Sequence, residues 1–447
     1  MDVDGGSLDR EIARLALPSL GALAAEPLYV LVDTAIVGHL GTAALGGVAI
    51  AGTALTTVVW LCAFLTMGTT TRVATATGAG DARQVGVVAL HAGLAAVVIG
   101  TLACAFFQVA AGPIARALGG EGDVLDAAVT FMRIGSLGLP FQLVAFAGHG
   151  VWRGQGRPAR SLSVVIVANA LNATLTALFV YGADLGVAGS AWGTVCAQVV
   201  AAVWLTVGIG RSLRSVGVPR RIDRAELSLL LRSGLRITIR TAALVGVFLL
   251  ATAVAARLGE AELAAHQIAM QLFTFLALSL DALAVPAQVL TGQALGAGRD
   301  WYAGAVVARV LRIGLVVGAI VAGVVASCAA VVPRVFTSDD EVVSAAIPVL
   351  LLLGLMQLPG AVAFVMDGAL LGASDFAGVQ RLMIAAAVVA VPCLGAVLVW
   401  PSLGLVGLWC GLNLWMTARA GFTWGRWQRT VGARLVVDGI PAPTRQA

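Results

Sequence analysis

Apolar stretches of about 20–28 residues recur from one end of this chain to the other, and no other feature restricts its fold so tightly. A helix rises about 1.5 Å per residue, so each stretch can cross the roughly 30 Å of hydrocarbon in a bilayer. In hydrocarbon the backbone must satisfy its own hydrogen bonds, which leaves helices and closed barrels. A barrel would show short alternating strands, and the sequence has none. The expected class is therefore an all-α membrane protein. Composition agrees: the 447 residues are 59% hydrophobic and 11% charged, with a mean hydropathy of +0.96. A soluble chain carries about 25% charged residues. The first stretch begins near Leu15 and runs on through Pro18, Pro27 and Asp33 without a small-residue cleavage site at the usual place. It reads as a retained helix rather than a signal peptide.

Twelve membrane helices are predicted, near 14–38, 44–72, 85–112, 124–150, 160–182 and 187–210, then 227–257, 262–291, 303–329, 342–371, 378–400 and 404–428. The loops leave no room for a soluble domain. The longest polar connection, 211–226, is read as a linker between an N-terminal six-helix lobe, 1–210, and a C-terminal one, 227–447, that ends in a short tail. All 28 basic residues are arginine, and the pI is about 9.2. That balance does not imply a nucleic-acid partner, because the arginines lie in short loops between apolar stretches. Alternate loops are rich in them: Arg72 and Arg83; Arg153, Arg157 and Arg160; Arg211, Arg214, Arg220, Arg221 and Arg224; Arg299; and Arg426, Arg429 and Arg434 in the tail. The opposite loops carry acids such as Glu121, Asp184, Glu260 and Asp339. Basic loops stay in the cytoplasm, so both termini are expected there.

The chain also matches itself at a constant offset of 218 residues. Leu40-Gly41 falls on Leu258-Gly259, Gly78-Ala79-Gly80 on Gly296-Ala297-Gly298, and Gly186 and Gly189 on Gly404 and Gly407. An offset that holds across loops and helices points to duplication. Each repeat has an even number of helices, so the two run parallel, related by an axis along the membrane normal. That plan suits a transporter whose halves rock about a shared site.

Ionisable residues inside apolar helices are costly and mark function by default. Asp33 lies in the first predicted helix, with Tyr29 four residues earlier on the same face and Pro27 nearby to let the helix bend. A carboxylate there can take a proton from one side and release it to the other. Asp281 and Asp367 are further candidates, each equally able to pair with an arginine such as Arg240. At the 218 offset Asp33 falls on Ala251, Asp281 on Ala63 and Asp367 on His149, so the acids are not duplicated with the scaffold. Arg232, Arg236 and Arg240 recur every four residues and read as a stripe reaching toward headgroups. The six cysteines (Cys62, Cys104, Cys196, Cys328, Cys393 and Cys410) lie in apolar stretches without a CxxC pair and read as small core residues. No metal is expected, and His39, His91 and His266 are not read as ligands. The chain has no Walker, HExxH, GxSxG or aspartate-rich prenyl-diphosphate motif, and Asp339-Asp340-Glu341 reads as a solvated helix start, so an enzyme is not expected.

Asp33-Thr34 followed by Val37-Gly38-His39-Leu40-Gly41 resembles the first-helix signature of the multidrug and toxic compound extrusion (MATE) family, in its DinF-like branch. Ala265-His266-Gln267-Ile268, Asp281, Gly292-Gln293, Gly296-Ala297-Gly298, Asp367-Gly368 with Gly372, and Gly189-Ser190-Ala191-Trp192-Gly193-Thr194 with Gln198 extend the likeness over nearly the whole chain. The resemblance implies a V-shaped, two-lobed antiporter that exchanges cations for amphipathic drugs or metabolites. It makes Asp33 the coupling residue, with Tyr29, Asn172 and Thr194 in its polar cluster. Some relatives carry a second aspartate where this chain has Thr176. A single carboxylate suits H⁺ better than Na⁺, which wants several oxygens. Asp281, Asp367, Gln267 and Arg240 are candidates for substrate contact or a second site.

The expected protein is thus an H⁺-coupled exporter, with Na⁺ as the alternative ion and no cofactor. It would sit as a monomer in a bacterial inner membrane, with an amphipathic small molecule and the lipid bilayer as its partners. The rival readings are a flippase for a lipid-linked substrate, a major-facilitator transporter, and, in a different class, a membrane-embedded lipid-modifying enzyme. The flippase usually has extra helices and basic cavities, the facilitator a charged glycine motif, and the enzyme a polar catalytic cluster.

Overall fold

A computed structural model describes residues 5–214 and 223–432. Residues 215–222 of the expected linker, including Arg220 and Arg221, and Arg434 in the tail lie outside the described residues. The first repeat contains α1 (Gly5–Gly38), α2 (Thr42–Leu61), α3 (Phe64–Gly78), α4 (Ala82–Ala117), α5 (Gly122–Ser136), α6 (Leu139–Gly154), α7 (Pro158–Ala177) and α8 (Gly186–Ser212). The second contains α9 (Arg224–Ala255), α10 (Glu260–Gly296), α11 (Asp300–Cys328), the short α12 (Val332–Phe336), α13 (Asp340–Gly372), α14 (Phe376–Val399) and α15 (Gly404–Trp427). Among the described residues ten spans are long and apolar enough to cross a membrane, and the bent pair α5–α6 makes eleven. α15, with Arg419 and Arg426 in its 24 residues, is the twelfth.

The duplication is written into the backbone. Adding 218 to the helix starts Thr42, Ala82, Gly122, Pro158 and Gly186 gives Glu260, Asp300, Asp340, Phe376 and Gly404, the starts in the second repeat. Left-handed glycines pair likewise, Gly80 (φ 70°) with Gly298 (φ 67°) and Gly186 (φ 52°) with Gly404 (φ 53°). Helix packing repeats too. A Cβ on Gly150 would stand 2.8 Å from the Thr66 carbonyl oxygen, and one on Gly154 would stand 2.7 Å from that of Thr70. At the same offset, Gly368 faces the Ala284 carbonyl and Gly372 that of Gln288. Small residues let helices touch backbone to backbone where burial of apolar surface cannot drive them together.

The repeats differ in their breaks. The predicted helix 44–72 is parted at Cys62-Ala63 into α2 and α3, and 124–150 at Leu137-Gly138 into α5 and α6, which bend by 50°. Their counterparts α10 and α13 are unbroken. The first helix also begins at Gly5 rather than near 14. Its charged opening, Ser7–Arg14, hides an apolar face: Leu8, Ile12 and Leu15 recur at helical spacing and are buried.

Two compact units result, and they divide at Ala16/Leu17 and Thr238/Ile239, inside α1 and α9 rather than in 211–226. Residues 17–238 form one unit, cored by Val88, Trp152, Val164 and Leu205 and by Phe107, Met132 and Leu139. The opening turns of α9 belong to it: Glu226 pairs with Arg72, the Asp223 amide donates to His91 Nε2 (2.9 Å), and Thr238 donates to the Leu61 carbonyl (3.0 Å). The other unit holds α1 up to Ala16 and the described residues from Ile239 to Gly432. α13 is its axis, packed on α10, α11 and α15 among Leu350, Leu353, Trp409 and Trp415. Here Asp9 accepts two hydrogen bonds from Arg309, at 2.6 and 2.5 Å, and Tyr302 donates to Glu11 (3.2 Å). His91 and Arg309 stand at matching positions of the two repeats.

Candidate functional site

In the unit 17–238, α1, α7 and α8 bring a polar cluster into an apolar interior. α7 and α8 approach closely because Gly193 faces Thr176, where a Cβ would stand 2.8 Å from the Thr176 backbone nitrogen. That approach lets Asn172 Nδ2 donate to Thr194 Oγ1 at 3.1 Å. Thr194 spends its own proton on the Ser190 carbonyl (3.2 Å), so its oxygen also accepts from the Tyr29 hydroxyl (3.3 Å). One turn before Thr194, the buried Ser190 hydroxyl donates to Asp33 Oδ1 at 3.1 Å. Asp33 itself is 8% exposed. Thr176 is fully buried, and its hydroxyl has no partner among the described residues. α1 is tied to α7 and the turn after it on either side of the cluster. Asn169 donates to the Ala25 carbonyl (3.0 Å) beside Pro27, and Tyr181 donates to the Ile36 carbonyl (2.7 Å). Tyr181 reaches it from a single widened helical turn, Leu178–Gly182, at the end of α7.

Tyr29, Asn172 and Thr194 also line a cavity of about 360 Å³ within this unit. Its wall continues through Glu26, Thr66, Met67, Gln142, His149, Asn169 and Gln198. Thr66 and Gln142 lie within four residues of the breaks in the second and fourth spans. His149 Nδ1 is bonded to Ser161 Oγ at 2.5 Å, which occupies that side of the ring.

Of the residues expected in the coupling cluster, the structure brings Asp33, Tyr29, Asn172, Thr194 and Thr176 into one neighbourhood. The remaining candidates lie in the other unit. There Asp367, 3% exposed, accepts from Arg240 and Arg419 at 2.5 Å each, both through Oδ2. Arg419 also lies over the Phe364 ring, 4.9 Å from its centroid. The expected headgroup stripe therefore divides: Arg232 and Arg236 are exposed, but Arg240 is buried. Each step of four residues turns a helix by about 40°, and two such steps carry Arg240 off the exposed face. Asp281 is half-buried on α10, and Gln267 is exposed. His266 is buried, bonded to Thr252 (3.1 Å), and Asp339 caps α13 by accepting from the Glu341 amide (2.9 Å). The described residues contain no metal-binding group of His, Cys, Asp or Glu.

Three residues of these sites escaped the sequence reading. Ser190 carries little signal beyond its place one turn before Thr194. Glu26 and Arg419 are ionisable residues within apolar stretches, so the rule that singles out Asp33 could have found both.

The MatE family profile matches residues 18–178 and 237–394, once in each repeat. The chain is 31% identical over 389 residues to Protein DETOXIFICATION 44, chloroplastic, of Arabidopsis thaliana, covering 83% of this chain and 73% of that protein. It is 30% identical over 296 residues to DNA damage-inducible protein F of Escherichia coli (strain K12), covering 65% of this chain and 64% of that one. A crystal structure of MATE in the bent conformation superposes with a TM-score of 0.88 at 22% identity, over 98% of this chain and 100% of that chain. With its duplicated six-span plan and a family match over most of both repeats, the chain belongs to the MATE family, and it is a transporter rather than an enzyme.

Proposed function

We propose that this transporter is an H⁺-coupled antiporter that exports amphipathic molecules, with Asp33 as its proton carrier. The observation that carries this reading is Asp33, a buried carboxylate in a membrane helix that is met by a hydroxyl from Ser190 rather than by a cation. Proton arrival neutralises Asp33 and removes its claim on the Ser190 hydroxyl. That loosens the hold of α8 on α1, and Pro27 gives α1 a place to bend. Tyr29, Asn172 and Thr194 hold the surrounding polar shell in register, and Thr176 lies beside it without adding a second charge. A transporter works this way when each ligand binds the two conformations with different affinity. The arginine-rich loops support cytoplasmic termini, and the bacterial relative supports the inner membrane. The duplicated plan supports alternating access by a single chain. Asp367, held between two arginines, is read as structural.

The test is dye efflux from proteoliposomes under separately imposed H⁺ and Na⁺ gradients, for wild type and Asp33→Asn. Efflux driven by H⁺ alone and abolished by the substitution is expected. Efflux that needs Na⁺ overturns the ion assignment. Gradient-driven efflux untouched by Asp33→Asn moves coupling to Asp281 or Asp367. Absence of any gradient-driven movement returns the flippase reading.

A further inference from the structure

The unit that holds α10 to α15 carries a groove of about 850 Å³ at the end where α10, α13 and α15 begin and α14 finishes. Its wall includes Glu262 in the first turn of α10, Pro348 in α13, Cys393 in α14, and Gly404, Gly407 and Gly411 along α15. The duplication shows why it is open. In the first repeat Gly189 lies against the widened turn that ends α7, where a Cβ would stand 2.8 Å from the Phe179 carbonyl carbon. At Gly407, its counterpart, the three atoms nearest to a Cβ all belong to Leu403, four residues earlier in the chain. Cys410 stands where the first repeat has Trp192. The face of α15 that matches the packed face of α8 is therefore left without a covering turn and without an indole.

Depth and charge identify what fills it. The wall follows α15 from Gly404 to Leu414, a rise of about 15 Å. That is half of the roughly 30 Å of hydrocarbon, the depth of one leaflet. Leu403, Val406 and Leu414 are exposed along it, and so is Trp400, two residues before Ser402 of the wall, where an interfacial tryptophan belongs. A trough of this kind takes an acyl chain, because an empty one forfeits dispersion contacts along its lining. Glu262 is the one charged residue in the wall, and among the described residues no hydrogen bond or ion pair reaches its carboxylate. Helix amides at the start of α10 favour both Glu260 and Glu262, but only Glu262 reaches the groove. The first repeat has Ala44 at its place, so the acid is particular to the second. A carboxylate there complements a primary ammonium, offers a quaternary one no hydrogen bond and repels an anion. We propose that this groove is a binding site for a single aminophospholipid of the surrounding bilayer, with one acyl chain along Gly404–Leu414 and the headgroup ammonium on Glu262. The site is independent of the cluster around Asp33 and of the coupling ion.

Native mass spectrometry of the purified full chain tests it, after equilibration with equal amounts of phosphatidylethanolamine, phosphatidylcholine and phosphatidylglycerol of one acyl composition. Wild type should retain one phosphatidylethanolamine about fivefold over either competitor. Glu262→Gln should erase that preference and still retain lipid, while Glu260→Gln should keep it. Cys410→Trp, which copies the residue of the first repeat, should lower retention of all three lipids together. The proposal is overturned by equal retention of the three lipids in wild type, by no retained lipid, by a preference that survives Glu262→Gln or is lost in Glu260→Gln, or by unchanged retention in Cys410→Trp. A dimer that forms in wild type and is lost in Cys410→Trp would give the groove to a second copy of the chain, and overturns it too.

Discussion

Asp367 sits between two guanidiniums, and the trio carries one surplus positive charge inside the protein. Asp367→Asn keeps the shape but raises that surplus to two and weakens both 2.5 Å hydrogen bonds. Removing one partner of a buried ion pair costs about 3–5 kcal/mol. Two hydrogen bonds to a charged group, at about 1.5–3 kcal/mol each, give the same range. Arg419→Met runs the other way in charge. It gives up one hydrogen bond and the contact over Phe364, but leaves a neutral Asp367–Arg240 pair, so it should cost only about 1–3 kcal/mol. Thermal unfolding in detergent, followed by tryptophan fluorescence, can separate the two, because Trp409 and Trp415 are fully buried in the same unit. At about 2–4 °C per kcal/mol, Asp367→Asn should melt roughly 10 °C below wild type, and Arg419→Met between the two. The charge argument fails if Arg419→Met melts lower than Asp367→Asn, or if Asp367→Asn stays within about 2 °C of wild type.

Other substitutions probe the coupling cluster and its frame. Ser190→Ala removes the hydroxyl bonded to Asp33, a contact of about 1.5–3 kcal/mol, and should slow H⁺-driven efflux by about an order of magnitude and lower the melting point by several degrees. Gly193→Val drives a side chain against the Thr176 backbone and should part α7 from α8, seen as lost efflux together with a melting point lower by several degrees. Asp9→Asn breaks an ion pair whose partners are 40% and 37% exposed, so no resolvable change in melting is expected, at any salt concentration.

The sequence made the helices legible because hydropathy over some twenty residues averages out local detail. It made Asp33 and Tyr29 legible because both lie on one helix, where a spacing of four residues means contact. Asp33 and Ser190 lie 157 residues apart, and no periodicity reports such a meeting. The break at Cys62-Ala63 carries no proline to announce it, whereas α13 runs unbroken through Pro348 and Pro359. Neighbouring helices, not the local sequence, decide whether a proline bends a span. The fate of Arg240 was hidden for a similar reason: whether a stripe of arginines reaches outward depends on a carboxylate far along the chain. The opening turn of α1 was missed because its charges lower the average hydropathy while its buried face keeps a helical rhythm.

The division of α1 and α9 between units separates the unit of heredity from the unit of packing. A gene cut at the repeat boundary would encode a fragment that begins with Leu8, Ile12 and Leu15, whose packing partners Leu290, Val306 and Met366 it lacks. The same fragment would also lack Glu226 and Thr238, which its own Arg72 and Leu61 engage. During synthesis Leu8, Ile12 and Leu15 leave the ribosome before any of the surface they cover, while the earlier-made unit stays unfinished until Thr238 has emerged. Each six-helix repeat therefore lacks part of the surface on which its own residues pack, although the sequence duplicates it whole.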